Sequence, residues 1–535
     1  MDNDPGIRWN GWGRTGHGDA LAAREPVFGW LARQLGMPAL LATPPRGFCD
    51  IALPASRLSP THRAGLAALL GPAQLRDDDG QRAAHARGRS YHDLLALRAG
   101  DLSRAPDAVL YPRGEDDILA VLDYCSRGRI AVVPYGGGTS VVGGVTPAHG
   151  GFESAVTLDM AMLDRVLAVD TVAGLATVEA GIRGPALEQR LASHGMMLGH
   201  TPQSFEFSTL GGWIAHHGSG QDSARYGRAA DWLAQLRVAT PRGMLVCGHS
   251  PASAAGPDLK HLMLGSEGVF GVITRVRVRV HPLPATTRYE AWSFPDFATG
   301  ATALRAITQT GTGPTVVRLS DEAETGVNLA STEQIGEQQI TGGCLAITLF
   351  EGTAEHAESR HAETQALLAA HGGTSLGEGP ARAWEHGRFS APYLRDSLLA
   401  AGALCETLET ATNWSNLPAL KAAVTEALTT ALADSGTPAL VLCHISHVYP
   451  TGASLYFTVV AGQRGNPIEQ WRAAKTAASE AIMRTGGTIT HHHAVGADHR
   501  PWMGDEVGEL GVQVLRAVKA TLDPAGILNP GKLIP

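Results

Sequence analysis

Seven residues constrain this chain more than any others: Pro134-Tyr135-Gly136-Gly137-Gly138-Thr139-Ser140, which follow the apolar run IAVV. Glycines carry no Cβ, so the backbone N–H groups of this loop can close on a phosphate, and Thr139 and Ser140 add hydroxyl donors. Such a nest suits a pyrophosphate. The spacing is not GxGxxG, because Val141 stands where the last glycine would fall, and it is not GxxxxGK[ST]. A nicotinamide-type Rossmann site and a P-loop are therefore both disfavoured. Taken alone, the loop reads equally well as a tight turn between strands.

The flanking pattern fixes its setting. An extended VLYP run, an acidic helix start at residues 115–117, the periodic ILAVLDYCSR and then IAVV read as strand, helix, strand, glycine loop. Between 156 and 280 the segments AVTLDM, ATVEAG and GVITRVRVRV are short and β-rich, so the region is α+β and not a regular βαβ repeat. From 285 to about 480, strand candidates (LAITLF, ALVLCHISH, SLYFTVVA) alternate with Ala-rich helices at 354–370, 417–432 and 468–485. At 535 residues with 44% hydrophobic content, the chain is long enough for two or three cores. The expected division is an appended helical module at 1–100, a first α+β domain at 101–284, a second at 285–485, and a return to the first at 486–535.

Composition excludes some functions. Lys+Arg total 43 against 51 Asp+Glu, a formal net charge of −8, which argues against nucleic acid as a partner. The six cysteines (Cys49, Cys125, Cys247, Cys344, Cys405, Cys443) include no CxxC pair, so neither a zinc site nor a disulfide framework is expected, and a reducing, cytoplasmic location is. The start MDNDPGIRWNGWG has no basic and apolar leader pattern, and no run of about 18 apolar residues occurs, so a soluble protein is expected. The Arg-heavy, Ala-rich, Lys-poor usage looks bacterial.

Two later segments extend the signal of the first loop: HTPQSFEFSTLGGWIA from His200 and GSEGVFGVIT from Gly265. The three motifs in this order resemble the FAD-binding domain of the vanillyl-alcohol oxidase family, the PCMH-type fold. The resemblance implies an α+β, PCMH-type domain with a second α+β cap domain. It also implies FAD, held by Pro134, Gly136, Gly137, Gly138, Thr139, Ser140, Gln203, Ser204, Ser208, Thr209, Gly212, Glu267, Gly271 and Ile273. The first loop lacks the histidine that often tethers flavin in this family, so non-covalent FAD is expected.

Within that family the chain is similar to the alkylglycerone-phosphate synthases, through Trp9-Asn-Gly-Trp-Gly13, VRLSDEAET at 317–325, Tyr393-Leu-Arg395-Asp396, Tyr456-Phe457 and the triple His491-His492-His493. That likeness implies exchange of the acyl chain of acyl-dihydroxyacetone phosphate for a long-chain alcohol, through a flavin N5 adduct and without net redox change. Arg318, Arg395, Tyr456, His492 and His493 fall on catalytic positions, and Arg318, Arg395 and His491 on substrate-binding ones. A homodimer and peripheral membrane contact are implied as well. Gln203 stands where an acidic residue is expected, and the ending LDPAGILNPGKLIP reads as in the family's dehydrogenases. The alternative is therefore an FAD-dependent 2-hydroxy-acid (lactate- or glycolate-type) dehydrogenase or oxidase, although such dehydrogenases carry Glu-His where this chain has His492-His493.

The residues themselves support part of this. GTITHHHAVG reads as a short strand entering a turn, so alternation puts His491 and His493 on one face and His492 on the other. A neutral imidazole can take a proton near pH 7 and an imidazolium can hold a phosphate. A metal-binding tract and a surface histidine run are the competing readings, and no metal is expected. Alternation likewise separates Tyr456 from Phe457, one toward a cavity and one toward the core. Arg395 sits on a helix beside Asp396, where a solvated ion pair is the alternative; Arg318 is a strand arginine, aimed into a site or exposed at an edge. Trp9 and Trp12 read as packing residues, and Asp77, Asp78 and Asp79 as solvated loop.

Overall fold

In the computed structural model, residues 7–14, 25–36, 45–48, 51–328 and 342–535 are described; Cys49 lies outside them. Strand Ala108–Leu110, helix Glu115–Gly128 and strand Ala131–Tyr135 follow the expected order. The helix buries Ile118, Val121, Leu122 and Cys125, one stripe at three- and four-residue spacing, and carries Glu115, Asp116 and Asp117 at its positive end. Ala108–Leu110, Ala155–Asp159 and Ala131–Tyr135 lie parallel, and Leu75–Arg76 closes the other edge antiparallel to Ala108–Leu110. A second, antiparallel sheet runs Val166–Asp170, Leu175–Glu179, Val272–Arg279, Leu233–Thr240, Gly243–Cys247.

The third sheet is antiparallel and eight-stranded, and runs through Cys344–Gly352, Val316–Ser320, Ala439–Ile445 and Gly452–Gly462 to the edge strand Ala403–Asn413. One face carries Leu319, Cys443, Phe457 and Leu408 into a core shared with the helices Phe297–Thr310, Leu417–Asp434 and Pro467–Arg484. With period two, the other face is left to Arg318, His444, Tyr456 and Glu409. Register aligns three of these directly: Glu409 opposite Tyr456, and Tyr456 opposite His444.

Residues before 100 do not stand apart as an appended module. Leu58, Leu66, Leu70 and Leu75 complete the core under the parallel sheet, while Tyr91 and Leu94 enter the core of the third sheet. Nor are the three aspartates plain solvated loop: Asp78 caps helix Asp79–Ala84 and Asp77 pairs with Arg63 at 2.5 Å. At the other end, Leu528 bridges Val132, and the Asn529 amide donates to the carbonyls of Gly144 and Glu267, so the C-terminal segment returns to the glycine loop.

Candidate active site

One cavity of about 350 Å³ runs between the glycine-bearing loops of the first two sheets and the open face of the third. Every residue expected to contact FAD lines it, from Pro134 and Gly136–Ser140 through Gln203, Ser204, Ser208, Thr209 and Gly212 to Glu267, Gly271 and Ile273. The glycines are needed because the motifs pack on one another. A Cβ on Gly137 would lie 1.9 Å from the Phe207 carbonyl oxygen, and one on Gly136 2.3 Å from Thr209 Oγ1. The N–H groups of Gly137, Gly138 and Thr139 have no acceptor among the described residues, so the loop presents free donors to the cavity. Ser140 is partly committed, its Oγ accepting from the Gly144 N–H at 2.9 Å. A cradle too tight for side chains, with unspent N–H donors, fits the pyrophosphate of FAD.

Behind the loop, His85 donates or accepts at 2.8 Å with Asp159 and packs on the Tyr135 ring at 4.4 Å, and the Arg89 N–H binds the Ser140 carbonyl at 2.6 Å. These supports come from the first hundred residues.

The opposite wall carries side chains. Tyr456 faces the cavity while Phe457 is fully buried in the core, as alternation requires. The Tyr456 ring stacks between His444 (4.9 Å, 22°) and His492 (6.0 Å, 15°), with His493 edge-on at 5.6 Å. Burial pushes its phenol up to about 12. Arg395 is no surface ion pair: it is 8% exposed, lines the cavity, meets Glu406 at 3.3 Å and donates to the Arg89 carbonyl at 2.7 Å. Asp396 instead accepts from the Trp12 N–H at 2.7 Å. Arg318 also faces the cavity, paired with Glu324 at 2.6 Å and His444 at 3.0 Å. Both arginines keep a buried Nε without a protein acceptor. Trp12 lines the cavity and packs edge-on against Phe207 at 5.3 Å.

The histidine triple departs from the strand reading. Residues 490–496 form no strand but a bend wrapped on Glu409, whose carboxylate accepts the N–H groups of His491 (2.6 Å), His492 (3.0 Å) and His493 (2.8 Å) and the Thr490 hydroxyl (2.7 Å). Alternation therefore does not apply: His492 and His493 share the cavity, and His491 is turned away from it. It lines a second, polar chamber of about 450 Å³ with His217, Arg228 and Tyr449, which corrects its expected place among substrate contacts. Burial alone would raise Glu409, but His492, His493 and His491 hold its carboxyl well below the usual range. Burial pushes His493 down to about 3 and lowers His492. His447, His491 and His492 bring ring nitrogens within 4.8 Å of one another, yet both His491 nitrogens are already engaged, by His492 and by Tyr449.

Sequence reasoning missed Glu409, His444, His447 and Tyr449. HISH at 444–447 was a visible signal, two histidines beside a β-run. Nothing local marks Glu409, because its partners lie more than 80 residues away.

The profile "FAD binding domain" matches residues 106–248 and "FAD linked oxidases, C-terminal domain" matches 283–533. The alkyldihydroxyacetonephosphate synthase of Trypanosoma brucei brucei is 35% identical over 87% of this chain and 79% of its own length. A solved alkyldihydroxyacetonephosphate synthase structure superposes with a TM-score of 0.84 at 30% identity, covering 100% of both chains. A mitochondrial cytochrome D-lactate dehydrogenase of Arabidopsis thaliana is 29% identical over 80% of this chain and 74% of its own. The Trypanosoma and Arabidopsis relatives are eukaryotic and lend no support to a bacterial source.

Proposed function

The chain belongs to the alkyldihydroxyacetonephosphate synthase family of FAD-linked enzymes, and from that premise we propose that it exchanges the acyl chain of an acyl-dihydroxyacetone phosphate for a long-chain alcohol. The observation that carries this is one cavity joining a flavin cradle, two arginines, a tyrosine with two histidines, and apolar lining that includes Trp384, Leu394, Leu398, Leu442 and Val460. Apolar lining suits an alkyl tail; a small hydroxy acid has no use for it.

FAD, bound without a covalent link to the histidine-free loop, supplies the chemistry at the C1 carbon. The protein does the rest. Arg318 and Arg395 hold the phosphate, since a planar guanidinium offers a directional fork that lysine lacks. Tyr456 takes a proton from C1 as its own phenol proton passes to the flanking His492 or His493, and the reverse transfer returns one. Glu409 below the bend stabilises the imidazolium that forms when either ring takes the proton. The hydroxy-acid dehydrogenase reading has less support, because His492-His493 replaces the Glu-His pair of those enzymes.

Homodimer formation, cytoplasmic location and peripheral membrane contact belong to the same proposal. No helix among the described residues is long and apolar enough to cross a membrane, which leaves surface contact as the route to a lipid substrate. The direct test is incubation of the yellow protein with palmitoyl-dihydroxyacetone phosphate and hexadecanol, reading ether product and free palmitate. Dye reduction with lactate or glycolate and no ether product would replace this reading by the dehydrogenase one.

A further inference from the structure

We propose that His492, His491 and Tyr449 form a proton exit, leading from the reaction cavity to the second polar chamber. The inference rests on the acyl-exchange reading and deepens it. In that exchange the C1–O bond to the acyl group breaks and a C1–O bond to the alcohol forms. The acid leaves as a carboxylate, because carboxyl groups ionise near pH 4, so the alcohol's O–H proton is left over. One proton per turnover must therefore leave the reaction cavity.

His492 alone among the three histidines of the bend lines both cavities. Its Nδ1 lies 2.9 Å from Nδ1 of His491, and Nε2 of His491 lies 2.5 Å from the Tyr449 hydroxyl. Tyr449 borders the second chamber beside Arg228, and the half-buried Thr488, Ala411 and Gly265 also line it. Each link is of hydrogen-bond length and each group both donates and accepts.

The transfer balances. A proton arriving on Nε2 of His492 releases the one on its Nδ1 to Nδ1 of His491. His491 then passes its Nε2 proton to the Tyr449 oxygen, and Tyr449 releases its own to water in the chamber. The two imidazoles end neutral in the opposite tautomer and Tyr449 ends as a neutral phenol with its hydrogen turned toward His491; water-assisted tautomerisation of each ring and rotation of the phenol hydroxyl then reset the chain. Burial lowers the basicity of His491 and His492, so neither retains the proton as a lasting cation. Tyr449 and His491 touch no reacting atom; they are relay residues acting through His492. The purely structural alternative is that the Tyr449–His491 bond only pins the bend.

Tyr449→Phe keeps the ring and cuts the wire. In ¹⁵N-histidine spectra of the FAD-loaded protein, the ring signals of His492 as well as His491 should shift. In turnover, kcat should fall roughly tenfold with KM within about twofold, the solvent deuterium isotope effect should grow, and added imidazole should restore rate. His491→Gln cuts the same wire should the first variant fold poorly. An unchanged His492 signal, or kcat within about twofold of the parent without an altered isotope effect, overturns the proposal. Parent protein that makes no ether product defeats the acyl-exchange reading alone, and the spectra still decide whether the wire exists.

Discussion

The two walls of the cavity are made of different material. On the glycine-loop side the backbone presents the donors, and its glycines are fixed by motif packing on motif: Gly137 against the Phe207 carbonyl, Gly136 against Thr209. On the other side function sits in side chains presented by a sheet row, Glu409, Tyr456 and His444, and by one bend, residues 490–496. The bend is gripped at both ends by buried carboxylates. Glu409 takes the N–H groups of His491, His492 and His493, and Glu267 of the flavin side takes those of Val495 and Gly496. Their ionisation is driven in opposite directions. Burial pushes Glu267 up to about 7, whereas neighbouring imidazoles hold Glu409 low against the same penalty. A side-chain wall should lose chemistry without losing flavin, and a backbone wall the reverse.

The largest expected effect is on the side-chain wall. Tyr456→Phe keeps the ring between His444 and His492 but removes its proton, so turnover should fall by about 10²- to 10⁴-fold while flavin content stays normal. A loss below about tenfold would make Tyr456 a packing residue. On the backbone wall, Gly137→Val drives a branched side chain into the Phe207 carbonyl, and the purified protein should be colourless; retained yellow flavin would show that the motifs can part. Arg395→Lys comes next, with turnover down roughly ten- to hundredfold, the worth of about 1.5–3 kcal/mol for a charge-assisted hydrogen bond, at unchanged flavin content.

The carboxylates give the finest test, read as Tm against pH. Glu267 holds its proton in the fold up to about pH 7, against an ordinary 4.5, so its stabilisation is full below 4.5 and is lost as pH rises through 7. Glu267→Gln should flatten that decline. Glu409 is held low, so its stabilisation is present above 4.5 and lost as pH falls below it. Glu409→Gln should cost about 3 kcal/mol at neutral pH, less in acid, since it breaks a buried charge arrangement. Matching pH profiles for the two variants would contradict the opposite shifts.

The backbone wall was the legible one. Glycine spacing in three motifs is a local signal, and all fourteen expected flavin-side positions line the cavity. Period-two alternation also sorted Tyr456 from Phe457, because a strand imposes it. The same rule failed at the histidines, where the backbone follows a carboxylate 82 to 84 residues distant instead of a strand partner. The first hundred residues misled for a related reason. Their apolar positions look self-contained in sequence, but they are shared between two distant cores, and Arg89 reaches both Ser140 of the loop and Arg395 of the far wall.

The most direct measurement of the central claim is a single reaction run with both readouts: the FAD-loaded protein, palmitoyl-dihydroxyacetone phosphate, hexadecanol and an electron-accepting dye. Acyl exchange across the two walls predicts hexadecyl-dihydroxyacetone phosphate and palmitate in equal amounts, with the dye unreduced. Dye reduction that depends on a 2-hydroxy acid, with no ether formed, would contradict it.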